Sequence, residues 1–159
     1  MVGSFLATLA LCIAPLRAPV AGPLVRVFTA PPCPYCAGHR GVVFGGVAGA
    51  DVRSPTAGRV TFLGRAFGVL YVVVSPRTGI KVTVGRLDSV VGRAVGEWVA
   101  VGDLIGQAGP STYLGVRVND VPVDPMGLLA RRGAILVDRG RRGPQSLACG
   151  TAPSPVAFP

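Results

Sequence analysis

Histidine is almost missing from this chain of 159 residues: His39 is the only one. That excludes a metal centre built from several histidines and a catalytic pair of imidazoles. Lysine is equally scarce, with Lys81 alone, and there are only 7 acidic residues against 16 basic ones. Charged residues make up 14% and apolar ones 50%, which excludes a solvated, disordered chain. Aromatics amount to 6% and are not interleaved with the arginines, and no nucleic-acid-binding motif is present, so a nucleic-acid partner is not expected. No apolar stripe of helical period runs for a dozen residues, which argues against long helices. The apolar run at residues 5–14 is too short to cross a membrane as a helix.

What the chain does contain is glycine (23), proline (15) and short apolar runs, the composition of a β-protein with many turns. Its length suffices for one domain with a real core. Residues 1–21 read as a signal peptide, with small residues for cleavage at 18–21, although no basic residue precedes the apolar run. Export is therefore the expected localisation. A proline-rich arm follows at 22–34, then a β-domain at 35–129, and a basic, proline-rich tail at 130–159 that is expected to be partly disordered. Strands are predicted from Gly58 and from Ile80, and over Leu114–Val118. The nearly continuous apolar run from Val69 predicts a strand buried on both faces. Asp88–Val91 reads as a loop or helical turn, the glycines around Asp103 as a turn feeding a short strand, and Asp124-Pro125 as the cap of a short helix over 126–129. The net charge of +9 implies attraction to anionic wall polymers or a membrane surface, with the arginines of the tail as the contact.

Cys33 and Cys36 form a C-x-x-C that His39 follows three residues later. In an exported protein the two cysteines are expected to pair locally and leave Cys149 free, with a pairing of Cys149 to either one as the alternative. The same spacing admits a Cys₃His zinc site completed by Cys149. A thioredoxin-like redox site is disfavoured because no βαβ unit surrounds the motif.

Five stretches carry a family resemblance. GHRGVVF (38–44), SPTAGRVTFLG (54–64), FGVLYVVVSPRTGIKVTVGRLDSV (67–90), VGEWVAVGDLIGQAG (95–109) and STYLGVRVNDVPVDPMGLL (111–129) resemble, in order, the LytM/lysostaphin-type zinc metallopeptidase domain of metallopeptidase family twenty-three. The resemblance implies an all-β fold, an antiparallel sheet of the barrel-sandwich hybrid kind. It also implies a groove with one zinc and peptidoglycan peptides as substrates. His39 stands at the first metal-ligand position. The second, an aspartate in the family, is Val43; the family's H-x-H falls on Ser111 and Tyr113; the remaining catalytic histidine falls on Arg86.

A hydrolytic zinc takes about three protein ligands and an open position for water. Valine donates nothing, neutral hydroxyls are poor zinc ligands, and an arginine repels a dication. No catalytic residue is therefore assigned, and no cofactor is expected, zinc being the exception if the site is rebuilt from other ligands. His39 then has four readings: a packed relic, part of a groove with Arg86, Ser111 and Tyr113 that binds without cutting, a ligand in the cysteine site, or the remnant of a divergent hydrolase. The functional expectation is an exported, non-catalytic domain that binds peptidoglycan peptides or a wall hydrolase. A divergent zinc endopeptidase and a structural domain akin to the biotinyl and lipoyl carriers are the alternatives. In the last, Lys81 lies inside a strand pattern rather than at a hairpin tip.

Overall fold

The computed structural model describes Ala14–Ala130. Residues 131–159 of the predicted tail, Cys149 among them, and residues 1–13 of the predicted signal peptide lie outside the described residues. Nine strands form one antiparallel sheet: β1 (Leu24–Arg26), β2 (Val42–Gly45), β3 (Asp51–Arg53), β4 (Gly58–Ala66), β5 (Val69–Ser75), β6 (Ile80–Val90), β7 (Trp98–Val99), β8 (Leu104–Val118) and β9 (Val121–Val123). The order is β1-β2-β8-β6-β5-β4-β7, with β3 and β9 also paired to β8. The all-β architecture is the one expected.

Valine, isoleucine and leucine at alternate positions dictate the two faces. Directly opposed residues across an antiparallel ladder share a face, so the register can be read as rows. Val72, Val84, Leu114 and Val42 form one such row, each 0% exposed. Val60, Val74, Val82 and Val116 form another, and all four are buried. The rows between them face the other way: Gly64, Tyr71, Gly85, Tyr113 and Val43 in one, and Phe62, Val73, Thr83 and Gly115 in the next. This second face is the more open one and carries the positions singled out in the sequence.

Three readings are corrected by the ladder. Strand β5 is buried on one side only: Val72 and Val74 enter the core while Tyr71 and Val73 are half-buried on the open face. Its apolar run is continuous because the open face is itself partly apolar. Asp88–Val90 is neither loop nor helical turn but the end of β6, held against Gly106 and Gln107. The short strand expected after Asp103 is the first third of a 15-residue β8. Both long strands bend where their register slips between Gly85 and Ser89. At that bulge Arg86 takes a φ of 62°, a left-handed conformation that costs a non-glycine residue roughly 1–2 kcal/mol. Gly109 lies opposite, where a Cβ would come within 2.9 Å of the Arg86 carbonyl oxygen.

Local signals formed as the residues dictate. Asn119 and Asp120 both adopt positive φ in the two-residue turn between β8 and β9. Asp124 accepts a hydrogen bond from the Met126 amide at 2.9 Å and caps a 3₁₀ turn over Pro125–Gly127, one residue earlier and shorter than the expected helix. Strand β1 makes the proline-rich arm extended, as its composition suggests.

The segment before the arm is part of the domain. Leu16 is 0% exposed and bridges Leu129, its amide donating to Leu128 and its carbonyl accepting from Ala130. Val20 is 5% exposed, and the Arg53 amide donates to Pro19. The small residues at 18–21 thus lie on a packed strap, and a cut there would take Leu16 out of the core.

Replacing Leu114 by alanine is expected to cost about 2–5 kcal/mol, because a filled core row cannot close over the cavity. Thr83→Ala, on the open face, should cost no more than about 1 kcal/mol. Urea unfolding of the two variants checks the assignment of faces, and equal losses would refute it.

Candidate functional site

His39 follows the C-x-x-C loop, and its backbone pairs with Thr29 of the arm in both directions at 2.9 Å. Its Nδ1 lies 3.0 Å from the Val27 carbonyl oxygen. A carbonyl only accepts, so Nδ1 carries the proton and donates, leaving the Nε2 lone pair free in the neutral ring. The ring stands edge-on to Tyr113, with centroids 5.9 Å apart and planes at 88°.

Tyr113 is the centre of the open face. Its hydroxyl donates to the Arg40 carbonyl at 2.9 Å, and its ring meets Tyr71 edge to face at 6.4 Å. Burial pushes the phenol up from its ordinary pKa, against the opposing pull of the Arg117, Arg40 and Arg86 charges. Tyr113 is therefore a neutral hydrogen-bond donor near pH 7. Glycine makes room for both rings. A Cβ on Gly85 would overlap the Tyr71 ring, and one on Gly41 or Gly115 would overlap Tyr113. The two tyrosine rings take up the space over these glycines in the middle of the face.

The remaining positions divide. Arg86 donates from Nη1 to Ser111 Oγ at 3.0 Å, so the bulge arginine and the serine form a pair at the upper end of the face. Val43 opposes Tyr113 in the ladder but is only 2% exposed, so it packs as core and does not line an open groove as expected. A valine has no polar atom to keep in contact with water, and burial is its favourable state. Cys33 and Cys36 are joined by a disulfide, with Cα atoms 5.0 Å apart. Neither thiolate is then available to a Cys₃His metal site. Arg40 holds this loop against the sheet, donating from Nη2 to the carbonyls of Pro34 and Cys36 at 2.8 and 3.2 Å.

Sequence reasoning missed Tyr71, Arg40, Arg117 and the three glycines. Tyr71 had a signal, a single hydroxyl inside a run of valine and leucine. The glycines had none, because only the cross-strand register sets them under a ring.

The donor set does not fit a hydrolytic zinc. Along these positions one imidazole nitrogen stands with an alkyl group, a hydroxyl bonded to a guanidinium and a protonated phenol, where such a zinc takes three ligands. Five of the six carboxylates among the described residues are engaged elsewhere. Glu97 accepts from the Ala94 amide and from Arg93, Asp103 from the Ala100 amide, Asp51 from Arg53, Asp120 from Lys81, and Asp124 caps its turn. Among the described residues no three of His, Cys, Asp and Glu come together as a metal cluster. Gly85→Ala should cost about 1–3 kcal/mol by displacing Tyr71. Adding Tyr71→Ala should recover part of that loss in a double-mutant cycle of urea unfolding, and strict additivity would refute the glycine-under-ring packing.

The model of peptidase family M23 matches residues 37–125. Helicobacter pylori Csd3 superposes with a TM-score of 0.67 at 24% identity, over 74% of this chain and 35% of Csd3. A zinc-containing peptidase from Vibrio cholerae gives 0.62 at 26% identity, over 72% of this chain and 40% of that one. A chain of the SpoIIIAH and SpoIIQ complex gives 0.63 at 15% identity, over 72% of this chain and 99% of that one. No curated protein matches the chain. It thus spans about a third of Csd3 and two-fifths of the Vibrio peptidase. With more than half of its length matched by the family model, the chain belongs to peptidase family M23.

Proposed function

We propose that this M23 domain binds a peptidoglycan peptide without cutting it, and that it does so outside the cytoplasm. The observation that carries the reading is the pair of tyrosines seated over Gly41, Gly85 and Gly115, with Tyr113 at a position where the family resemblance puts a histidine of the H-x-H. A filled, protonated, arginine-flanked face is a poor place for a dication and a good one for a peptide carboxylate. Arg117, Arg40 and Lys81 line the depression beside Tyr113 and Tyr71, and of these Lys81 is paired, to Asp120 at 2.7 Å. Guanidinium groups recognise carboxylates through paired hydrogen bonds. The tyrosine rings supply apolar contact at little entropic cost.

Export is supported by the Cys33–Cys36 disulfide, a bond that oxidising compartments maintain. It is compatible with the strap only if Leu16 stays with the domain, so N-terminal sequencing of the exported protein should find a start upstream of residue 16. The neighbouring SpoIIIAH and SpoIIQ structure is a complex of two proteins. A wall hydrolase as the bound partner is the second reading, supported by that complex alone.

The purified protein, prepared oxidised in the presence of zinc, is expected to hold well under one zinc per chain and to release no peptide from peptidoglycan. It should co-sediment with peptidoglycan, and Tyr113→Ala and Arg117→Ala should each weaken that binding by about tenfold, the scale of one charge-assisted contact. Stoichiometric zinc lost on His39→Ala would overturn the reading in favour of a rebuilt metal site.

A further inference from the structure

Trp98 is the only tryptophan in the chain, and it is 58% exposed. It sits on β7, a two-residue edge strand, directly opposite Arg59 of β4, which in turn opposes Ser75 of β5. The indole borders an open depression of about 430 Å³ that the β5–β6 turn with Arg77 and Thr78 also lines. That volume lies within the usual range of small-ligand sites. Arg59 is fixed, donating from Nη1 to the Gly96 carbonyl at 2.9 Å. Thr61 and Ser75 share a hydrogen bond between their hydroxyls at 3.1 Å on the floor. Lys81 lines both this depression and the one beside Tyr113, so the two are neighbours on the open face.

No carboxylate lines the depression. Among the described residues, Arg59 and Arg77 have no acidic partner, since the ion pairs there join Arg53 to Asp51, Lys81 to Asp120, and Arg93 to Glu97 and Asp103. Two unneutralised guanidinium groups beside an aromatic face and a pair of hydroxyls define one kind of ligand. It must carry a fixed negative charge, one flat apolar face and a rim of hydroxyls. A nucleic-acid strand would need several stacking rings along its path, and here there is one. A pyranose ring meets all three conditions. Its axial C–H groups lie against the electron-rich indole face, its hydroxyls reach Thr61 and Ser75, and a carboxylate substituent reaches the arginines.

We infer that the Trp98–Arg59–Arg77 depression is a binding site for a saccharide bearing a carboxylate, distinct from the neighbouring depression beside Tyr113. Because Trp98 is the sole indole, its emission reports this site alone. Titration of the full chain with a hexasaccharide of alternating glucuronate and N-acetylglucosamine should shift the emission to shorter wavelength and saturate. The uncharged N-acetylglucosamine hexamer should bind at least about tenfold more weakly, and Arg77→Gln should weaken the charged sugar by a similar factor. Arg77 lies on an exposed turn, so its substitution leaves the fold intact where Arg59→Gln would also disturb the β4–β7 contact. Tyr113→Ala should leave the titration unchanged, which separates this site from the peptide-binding reading. Absence of a saturable shift, equal affinity for the neutral hexamer, an equal response to inorganic phosphate, or indifference to Arg77→Gln would each overturn the assignment.

Discussion

The ladder between β6 and β8 is the interaction on which the rest of the domain depends. Strands β2, β3 and β9 pair with β8, β5 pairs with β6, and β1, β4 and β7 reach the ladder through β2 and β5. Its two strands carry eight of the nineteen buried apolar residues in the described part, more than any other pair of strands. Its bulge at Arg86 turns both strands, so that the start of β8 meets β3 while its later part meets β2 and then β9. The strain at Arg86 is tolerated because hydrogen bonds on both sides of the bulge over-determine the backbone.

The same ladder decides the chemistry of the open face. Alternation along β2, β5, β6 and β8 places Val43, Tyr113, Gly85 and Tyr71 in a single row. In that row a peptidase of this fold would need ligands, and this chain supplies alkyl, glycine and phenol. The lone histidine is held as a metal ligand often is, with one ring nitrogen donating to a backbone carbonyl. Its neighbour on the other side is the edge of an aromatic ring instead of a second ligand. His39 has a structural place beside Tyr113, with its backbone paired to Thr29 and its ring edge-on to the phenol, and the proposed peptide contact falls to the tyrosines and arginines around it.

Charge follows a similar division. Six of the seven acidic residues lie within the described part, and five of those serve turns or ion pairs at its edges. The arginines outnumber them on the open side, so the field there is positive along a line from Arg40 and Arg117 past Lys81 to Arg77 and Arg59. A face of this sign steers anionic ligands toward it and loses that advantage as salt rises.

Much of the fold was legible in the sequence. The strand from Ile80 and the capped turn at Asp124-Pro125 could be read because each depends on neighbours within a few residues. The family motifs placed His39, Arg86, Ser111 and Tyr113, and local pattern could go no further. That Leu16 and Val20 belong to the core, that Val43 is buried, and that glycines 41, 85 and 115 lie beneath two tyrosine rings are consequences of contacts between residues far apart in the chain. Residue type and period fix which side of a strand is apolar. Only the cross-strand register, set when β2, β5, β6 and β8 pair, decides which side chains share a row and therefore what that row can bind.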